Sequence, residues 1–300
     1  ANLSQSTRVV LEMRNRLMVG DAGWGDLASD KSFRKGGGWL DLSLASEVGG
    51  RKGLIHVMAD RFYLEHNRGK WQVRAGRQRI NWGMNMVSNP NDLFNTYSFF
   101  DFDYPERPGS DAVRVQYYSS EMSHAELAFA PADHISDAVG ALLYGFNLKG
   151  YDVQIIAGYY HNRIALGGGW AGRLKSAGFK GEATFFNDTD GSGNPDVVAS
   201  SSVDYLFQNG IYIYLEGLYN GGYKEMGEQL MNLSRPLSAD NIMFSRYAVT
   251  TSASYPFSPL LNGSLAVMLL PDIDSFFISP SIGYSILTNL DVSLISQIYG

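Results

Sequence analysis

Residues 113–118 read Val-Arg-Val-Gln-Tyr-Tyr, and their two-residue period recurs along almost the whole chain. Successive side chains of an extended strand leave on opposite faces, so Val113, Val115 and Tyr117 share one face while Arg114, Gln116 and Tyr118 share the other. One face suits an apolar medium and the other suits water. In the same way Leu40, Leu42 and Leu44 oppose Asp41, Ser43 and Glu47, and Val153, Ile155, Ala157 and Tyr159 oppose Asp152, Gln154 and Tyr160. Phe179, Ala183 and Phe185 stand against Lys180, Glu182 and Thr184, and Ile211, Ile213, Leu215 and Tyr219 against Tyr212, Tyr214 and Glu216. Near the start, Val9, Leu11, Met13, Leu17 and Val19 oppose Arg8, Glu12, Arg14 and Arg16. A soluble β-sandwich also alternates, but seldom over so many consecutive strands. The pattern predicts an all-β chain whose apolar face meets lipid, a transmembrane antiparallel up-and-down β-barrel.

Nothing in the composition opposes that fold. No apolar run approaches the roughly 18 residues that a membrane helix requires, so a membrane-spanning reading has to be β. The 18 tyrosines and 16 phenylalanines suit girdles at the two membrane interfaces. The absence of cysteine excludes a disulfide framework and thiolate metal or redox sites. A net charge of −6 argues against a nucleic-acid partner. No linker or low-complexity segment divides the chain, so residues 1–300 read as a single outer-membrane barrel domain. Residues 1–5 read as a mature or trimmed start.

About sixteen strands are expected, near 8–19, 39–47, 54–65, 70–81, 112–119, 123–130, 138–148, 151–161, 163–174, 178–187, 197–207, 211–220, 243–256, 262–270, 275–286 and 290–299. From the fourth onward, short and long connections alternate as they do in outer-membrane barrels. The Asn209-Gly210 pair is a hairpin signal within the short set. The long set is 82–111, 131–137, 188–196 and 221–242. Residues 20–38 break the rule, because a long connection there would fall on the short-turn, periplasmic side; either the strand count is off by one there or that segment folds into the barrel.

The segment with most functional content is the long loop 84–111. It carries Asp92, Asp101, Asp103, Glu106, Arg107 and Asp111, interleaved with Phe94, Tyr97, Phe99, Phe100, Phe102 and Tyr104. So many aromatic rings require packing, and the lumen is the available cavity, so the loop is expected to fold inward and narrow the pore. Arg8, Arg14, Arg16, Arg74 and Arg114 are candidates for the opposing wall. Loop and wall charges of opposite sign would set a field across the pore; the alternative is that they solvate the lumen and pair with one another.

Arg77 and Arg79 lie out of phase with Arg74, and an arginine at mid-bilayer on the lipid side costs roughly 2–4 kcal/mol. A bulge at Gly76 would re-aim both inward; otherwise they snorkel to the headgroups. Glu106 to Gly109 reads as a local turn with ions paired to the wall, or as a ligand contact. Tyr160, Tyr212, Tyr214 and Trp39 point to the water side, where they either stack on sugar rings or simply fill the interior.

Enzymatic signals are weak. His56, His66, His124, His134 and His161 lack metal-ligand spacing, and none has an obvious serine or carboxylate partner. Gly167-Gly168-Gly169 precedes no helix and is not a phosphate loop. No catalytic residue, metal or cofactor is implied.

The stretch Lys70-Trp71-Gln72-Val73-Arg74-Ala75-Gly76-Arg77-Gln78 resembles the alginate-export type of outer-membrane porin, in which a basic Gly-Arg-Gln strand leads into a lumen-directed loop. Its continuation, Arg79-Ile80-Asn81-Trp82-Gly83 with Asn89-Pro90-Asn91-Asp92-Leu93-Phe94, is similar to uncharacterised porin-like barrels of Gram-negative bacteria. The resemblance implies a passive diffusion or export channel, with Arg74, Arg77 and Arg79 as carry-over positions. The chain departs from an alginate conduit in its acidic balance and in the carboxylates of its loop. Its last residues, Gln297 to Gly300, also lack the terminal aromatic of barrel assembly signals, as a trimmed end would. The expected function is a porin-like outer-membrane channel for small polar or anionic solutes. The rival is a plugged scaffold that binds a partner protein through outer loops, chiefly 221–242.

Overall fold

The computed structural model describes residues 4, 6–20, 28–29, 35, 38–49, 52–95, 109–191, 193–223 and 237–300. Their strands are β1 (Thr7–Val19), β2 (Ser43–Val48), β3 (Gly53–Arg68), β4 (Trp71–Gln78), β5 (Ser110–Ser120), β6 (Ser123–Ala130), β7 (Val139–Leu148), β8 (Tyr151–Tyr160) and β9 (Arg163–Leu174). The wall continues with β10 (Ala177–Asp188), β11 (Asp196–Leu206), β12 (Tyr212–Asn220), β13 (Tyr247–Ser258), β14 (Leu261–Leu270), β15 (Ser275–Leu287), β16 (Leu290–Ile295) and β17 (Ile298–Tyr299). All belong to one sheet. From β3 to β16 each strand pairs antiparallel with the next. β17 continues the β16 position along β15.

The two-residue period becomes two environments. Along β12, Ile213, Leu215 and Tyr219 are 39%, 51% and 41% exposed, whereas Tyr214, Glu216 and Leu218 are at most 5% exposed. An apolar belt thus lies on the outside, while the inner face carries buried polar and charged side chains alongside apolar ones. Leaving such a belt in water costs roughly 25 cal/mol per Å², so the fold demands an apolar surround. The hairpin turns are built from residues that tolerate positive φ. Lys149 and Gly150 have φ of 53° and 85°, and His161 and Asn162 have 47° and 65°, values that match the twist of two-residue hairpins. His161 is therefore a turn residue.

The N-terminal strands pair differently from the expected hairpin order. β1 runs along the full length of one edge of β3, from Thr7 opposite His66 to Val19 opposite Gly53. β2 occupies the other edge of β3, Ser43 opposite Met58 to Val48 opposite Gly53, and β4 continues that same edge from Phe62 to Arg68. β1 and β2 are therefore parallel to each other, with β3 between them. The end of β1 at Val19 and the described Trp39 before β2 consequently both lie toward the long-loop end, which removes the conflict with the alternation rule; period alone encodes faces, not partners. Among the described residues no ladder joins β1 to β16, and both strands run toward the long-loop end.

Candidate pore constriction

After Gln78 the chain leaves the wall and crosses the interior. Ile80, Trp82 and Leu93 become almost fully buried, and Trp82 meets Phe94 edge to face with centroids 5.1 Å apart. Burying this segment leaves main-chain N–H groups without ladder partners, and each needs an acceptor. Two inward carboxylates supply them, and a third takes the Trp82 indole. Glu182 of β10 accepts from the N–H of Met84 at 2.9 Å, of Asn85 at 2.8 Å and of Asn91 at 3.1 Å. Glu216 of β12 accepts from Ser88 N–H at 2.9 Å and from the Tyr214 hydroxyl. Glu126 of β6 accepts from the Trp82 indole at 2.5 Å, from Gln116 at 2.7 Å, and from Arg114 through two bonds of 2.6 Å.

Neutral groups complete the attachment. Gln154 of β8 donates to Trp82 O at 2.5 Å, and Thr184 donates to Pro90 O at 2.9 Å. Asn91 donates to Gly168 O at 3.0 Å; a side chain at Gly167 or Gly169 would run into Asn91, which explains the glycine run there. Asn85 donates to Ser200 Oγ at 2.6 Å and accepts from Ser202 at 2.7 Å. The inward segment is thus fastened to strands from β6 to β12.

The opposite side of the lumen is basic. Glu65 of β3 is 2% exposed and pairs with Arg74 at 2.5 Å and Arg8 at 2.9 Å. Arg14 pairs with Asp60 at 2.6 Å. Arg16 shares the inward phase of Arg14 on β1. Of the expected positions, Arg8, Arg14, Arg74 and Arg114 therefore carry inward ion pairs. Asp92 lies in the inward segment, 1% exposed. Asp101, Asp103, Glu106 and Arg107 lie outside the described residues, as do most of the loop aromatics. Trp39, one of the candidate water-side aromatics, donates to Asp133 at 2.9 Å at the long-loop end.

Arg77 and Arg79 separate from that group. Gly76 has a φ of 121°, but the registers of β3 and β5 pass through it without a shift. The expected bulge is thus replaced by a single left-handed glycine. Arg77 neither snorkels nor meets solvent: it is 2% exposed, donates two 2.9 Å bonds to Asp111, and donates to Leu40 O at 2.5 Å. Arg79 lies beyond the end of β4, half-buried at the start of the inward segment. The sequence places Glu182 and Glu216 on the water-side face and does not single out Glu126; the role of the first two as acceptors for main-chain groups 91 to 128 residues away carries no local signal.

A second piece of chain also enters. In the 237–246 segment Ala239, Ile242 and Met243 are buried and join Ile80, Trp82 and Leu93 in one apolar cluster with Tyr160, Phe186, Leu218 and Met268. Asn220 donates to Asn241 Oδ1 at 3.0 Å and to Met243 O at 2.8 Å.

An antiparallel wall with a pinned inward segment defines a porin-like β-barrel. No family model matches the chain, and no curated protein does. Among solved structures it is similar to Pseudomonas aeruginosa OccK10 (OpdN), with a TM-score of 0.54 and 9% identity over 98% of this chain and 93% of that one. Acinetobacter baumannii OccAB2 is similar with a TM-score of 0.53 and 8% identity, over 99% of this chain and 83% of that one. Both belong to the Occ group of outer-membrane porins; the likeness is one of fold.

Proposed function

We propose that this chain is a passive outer-membrane channel for small polar or anionic solutes. The observation that carries the reading is the transverse asymmetry of the lumen. Arg8, Arg14, Arg16 and Arg74 line one side, while the other holds a segment whose carboxylate contacts are spent on its own main chain. Charged linings of this kind tune permeation. The outward belt supports embedding in a bilayer, whose lipids are the partner, and the likeness to Occ porins supports the outer membrane. No nucleic acid, cofactor or catalytic group enters this reading.

Reconstitution into a planar bilayer tests it. Discrete conductance steps with a reversal potential favouring anions are expected in a salt gradient. A second reading, a plugged scaffold that binds a partner protein through its outer loops, is favoured by the apolar cluster that continues from Ile80 to Met243. Electrical silence in a folded, membrane-inserted preparation would select it.

A further inference from the structure

Arg163, the first residue of β9, is 12% exposed and faces three carboxylates. Two belong to the wall: Asp188 at the end of β10, 2.8 Å away, and Asp196 at the start of β11, also 2.8 Å away. The third does not. Asp240, at 3.1 Å, belongs to the segment that folds into the lumen between β12 and β13. One guanidinium thus bridges fixed strand ends and a piece of chain that reached the interior from a loop. Beside it, Ala239 N–H donates to the Tyr160 hydroxyl at 2.9 Å, and Ala239 is fully buried.

We infer that residues 237–246 are a gate and that the Arg163–Asp240 pair is its latch, a regulation that rests on the channel reading above. The segment's inner half is held by apolar burial of Ile242 and Met243 and by the amide of Asn220. At its outer end, Asp240 is the charged tie to the wall among the described residues, and it shares its arginine with two competitors. Wall carboxylates already satisfy Arg163 when Asp240 leaves, so release does not strand a buried cation; an uncompensated buried charge would make release prohibitive. The latch is therefore built to open without unfolding the rim. With the segment inward, Ala239, Ile242 and Met243 close the apolar cluster against the 80–93 stretch. With it outward, that half of the lumen widens.

The chain has no cysteine, so Ala239→Cys gives a single thiol that reports burial. A membrane-impermeant maleimide is applied to the full chain in detergent and in vesicles, and bilayer conductance is recorded on the same variants. Asp240→Asn removes the latch and leaves both wall pairs. Asp196→Asn removes a wall pair and leaves the latch. The expected result is labelling of Cys at 239 about tenfold faster with Asp240→Asn, the order of a lost charge-assisted bond, with larger or more frequent conductance steps, and neither change with Asp196→Asn. Equal labelling in all folded variants, or acceleration by both substitutions alike, overturns the latch. Faster labelling with unchanged non-zero conductance overturns the gate. Silence of every variant defeats the channel reading instead, while labelling still reports on the latch, and heat-dependent gel mobility verifies that each variant is folded.

Discussion

Glu182 Oε1 accepts the main-chain N–H of Asn85 at 2.8 Å, although 97 residues separate the two in sequence. The wall therefore holds the inward segment by its backbone as well as by the side chains of Trp82, Asn85 and Asn91. Replacing Glu182 by Ala leaves the N–H groups of Met84, Asn85 and Asn91 without their acceptor. At about 1–3 kcal/mol for each buried unsatisfied group, a loss of about 3 kcal/mol or more is expected, together with higher conductance. Glu182→Gln, which keeps one acceptor oxygen, should fall between. Urea unfolding in lipid vesicles measures the first effect and bilayer recording the second; wild-type behaviour of Glu182→Ala on both counts would show that the segment is held by its apolar contacts.

Arg77 and Arg74 are expected to fail in different ways. Arg77→Gln leaves Asp111, 5% exposed, as an uncompensated buried charge, which costs about 3–5 kcal/mol. Reversal potential should hardly move, because Arg77 is sealed from the lumen. Denaturation midpoint and reversal potential, taken on the same preparation, separate a structural arginine from a lining one.

Arg74→Gln should do the converse. Arg74 shares Glu65 with Arg8, two cations to one carboxylate, so its removal takes away net positive charge from the lumen. The reversal potential is expected to move toward cations, and the shift to grow at low salt as the Debye length lengthens to about 30 Å at 0.01 M. A shift that does not depend on salt would argue for a steric origin.

Alternation made the wall legible residue by residue, since an apolar residue every second position fixes the face wherever lipid lies on one side. The strands Ser123–Ala130 and Arg163–Leu174 begin and end where the sequence places them. Pairing was less legible: β1 and β2 carry the same signal, and nothing local tells that β3 runs between them. The site was legible only in part. Arg74 and Arg114 are visible because a charge on the water phase of a strand has one place to go. Arg77 was not, because it keeps the phase of Val73 and Ala75 opposite Asp111 and is buried by Gly38 and Leu40, which arrive from a distant segment.

The rim contact between Trp39 and Asp133 should respond to acid. The indole bond, and after it the Lys35 charge, hold the Asp133 carboxyl below its ordinary 3.8. A depressed pKa means that the contribution is complete above 3.8 and disappears as pH falls through the lower folded value. The fluorescence difference between the native chain and Trp39→Phe should thus stay flat from neutral pH to about 4 and change only below. Asp133→Asn should remove the transition; a midpoint above 3.8 would contradict the pairing.

Gly76 and Arg77 should behave as one unit. At a φ of 121° only glycine is comfortable, and a Cβ at this position would stand 2.3 Å from Phe62 O. Gly76→Ala therefore forces the backbone toward ordinary extended geometry, at about 1–3 kcal/mol for the torsion alone. The larger consequence falls on its neighbour. A backbone shift there displaces Arg77 relative to Asp111, its direct partner across the β4–β5 ladder, so the alanine variant also weakens the buried ion pair. Arg77→Gln has lost that pair already, and the double variant should be less destabilised than the sum of the singles. Contacting residues commonly couple by about 0.5–3 kcal/mol, which denaturation of the four proteins in the cycle resolves. Strict additivity would mean that Arg77 finds Asp111 without help from the glycine, and that the torsion at Gly76 serves only the close approach of β3.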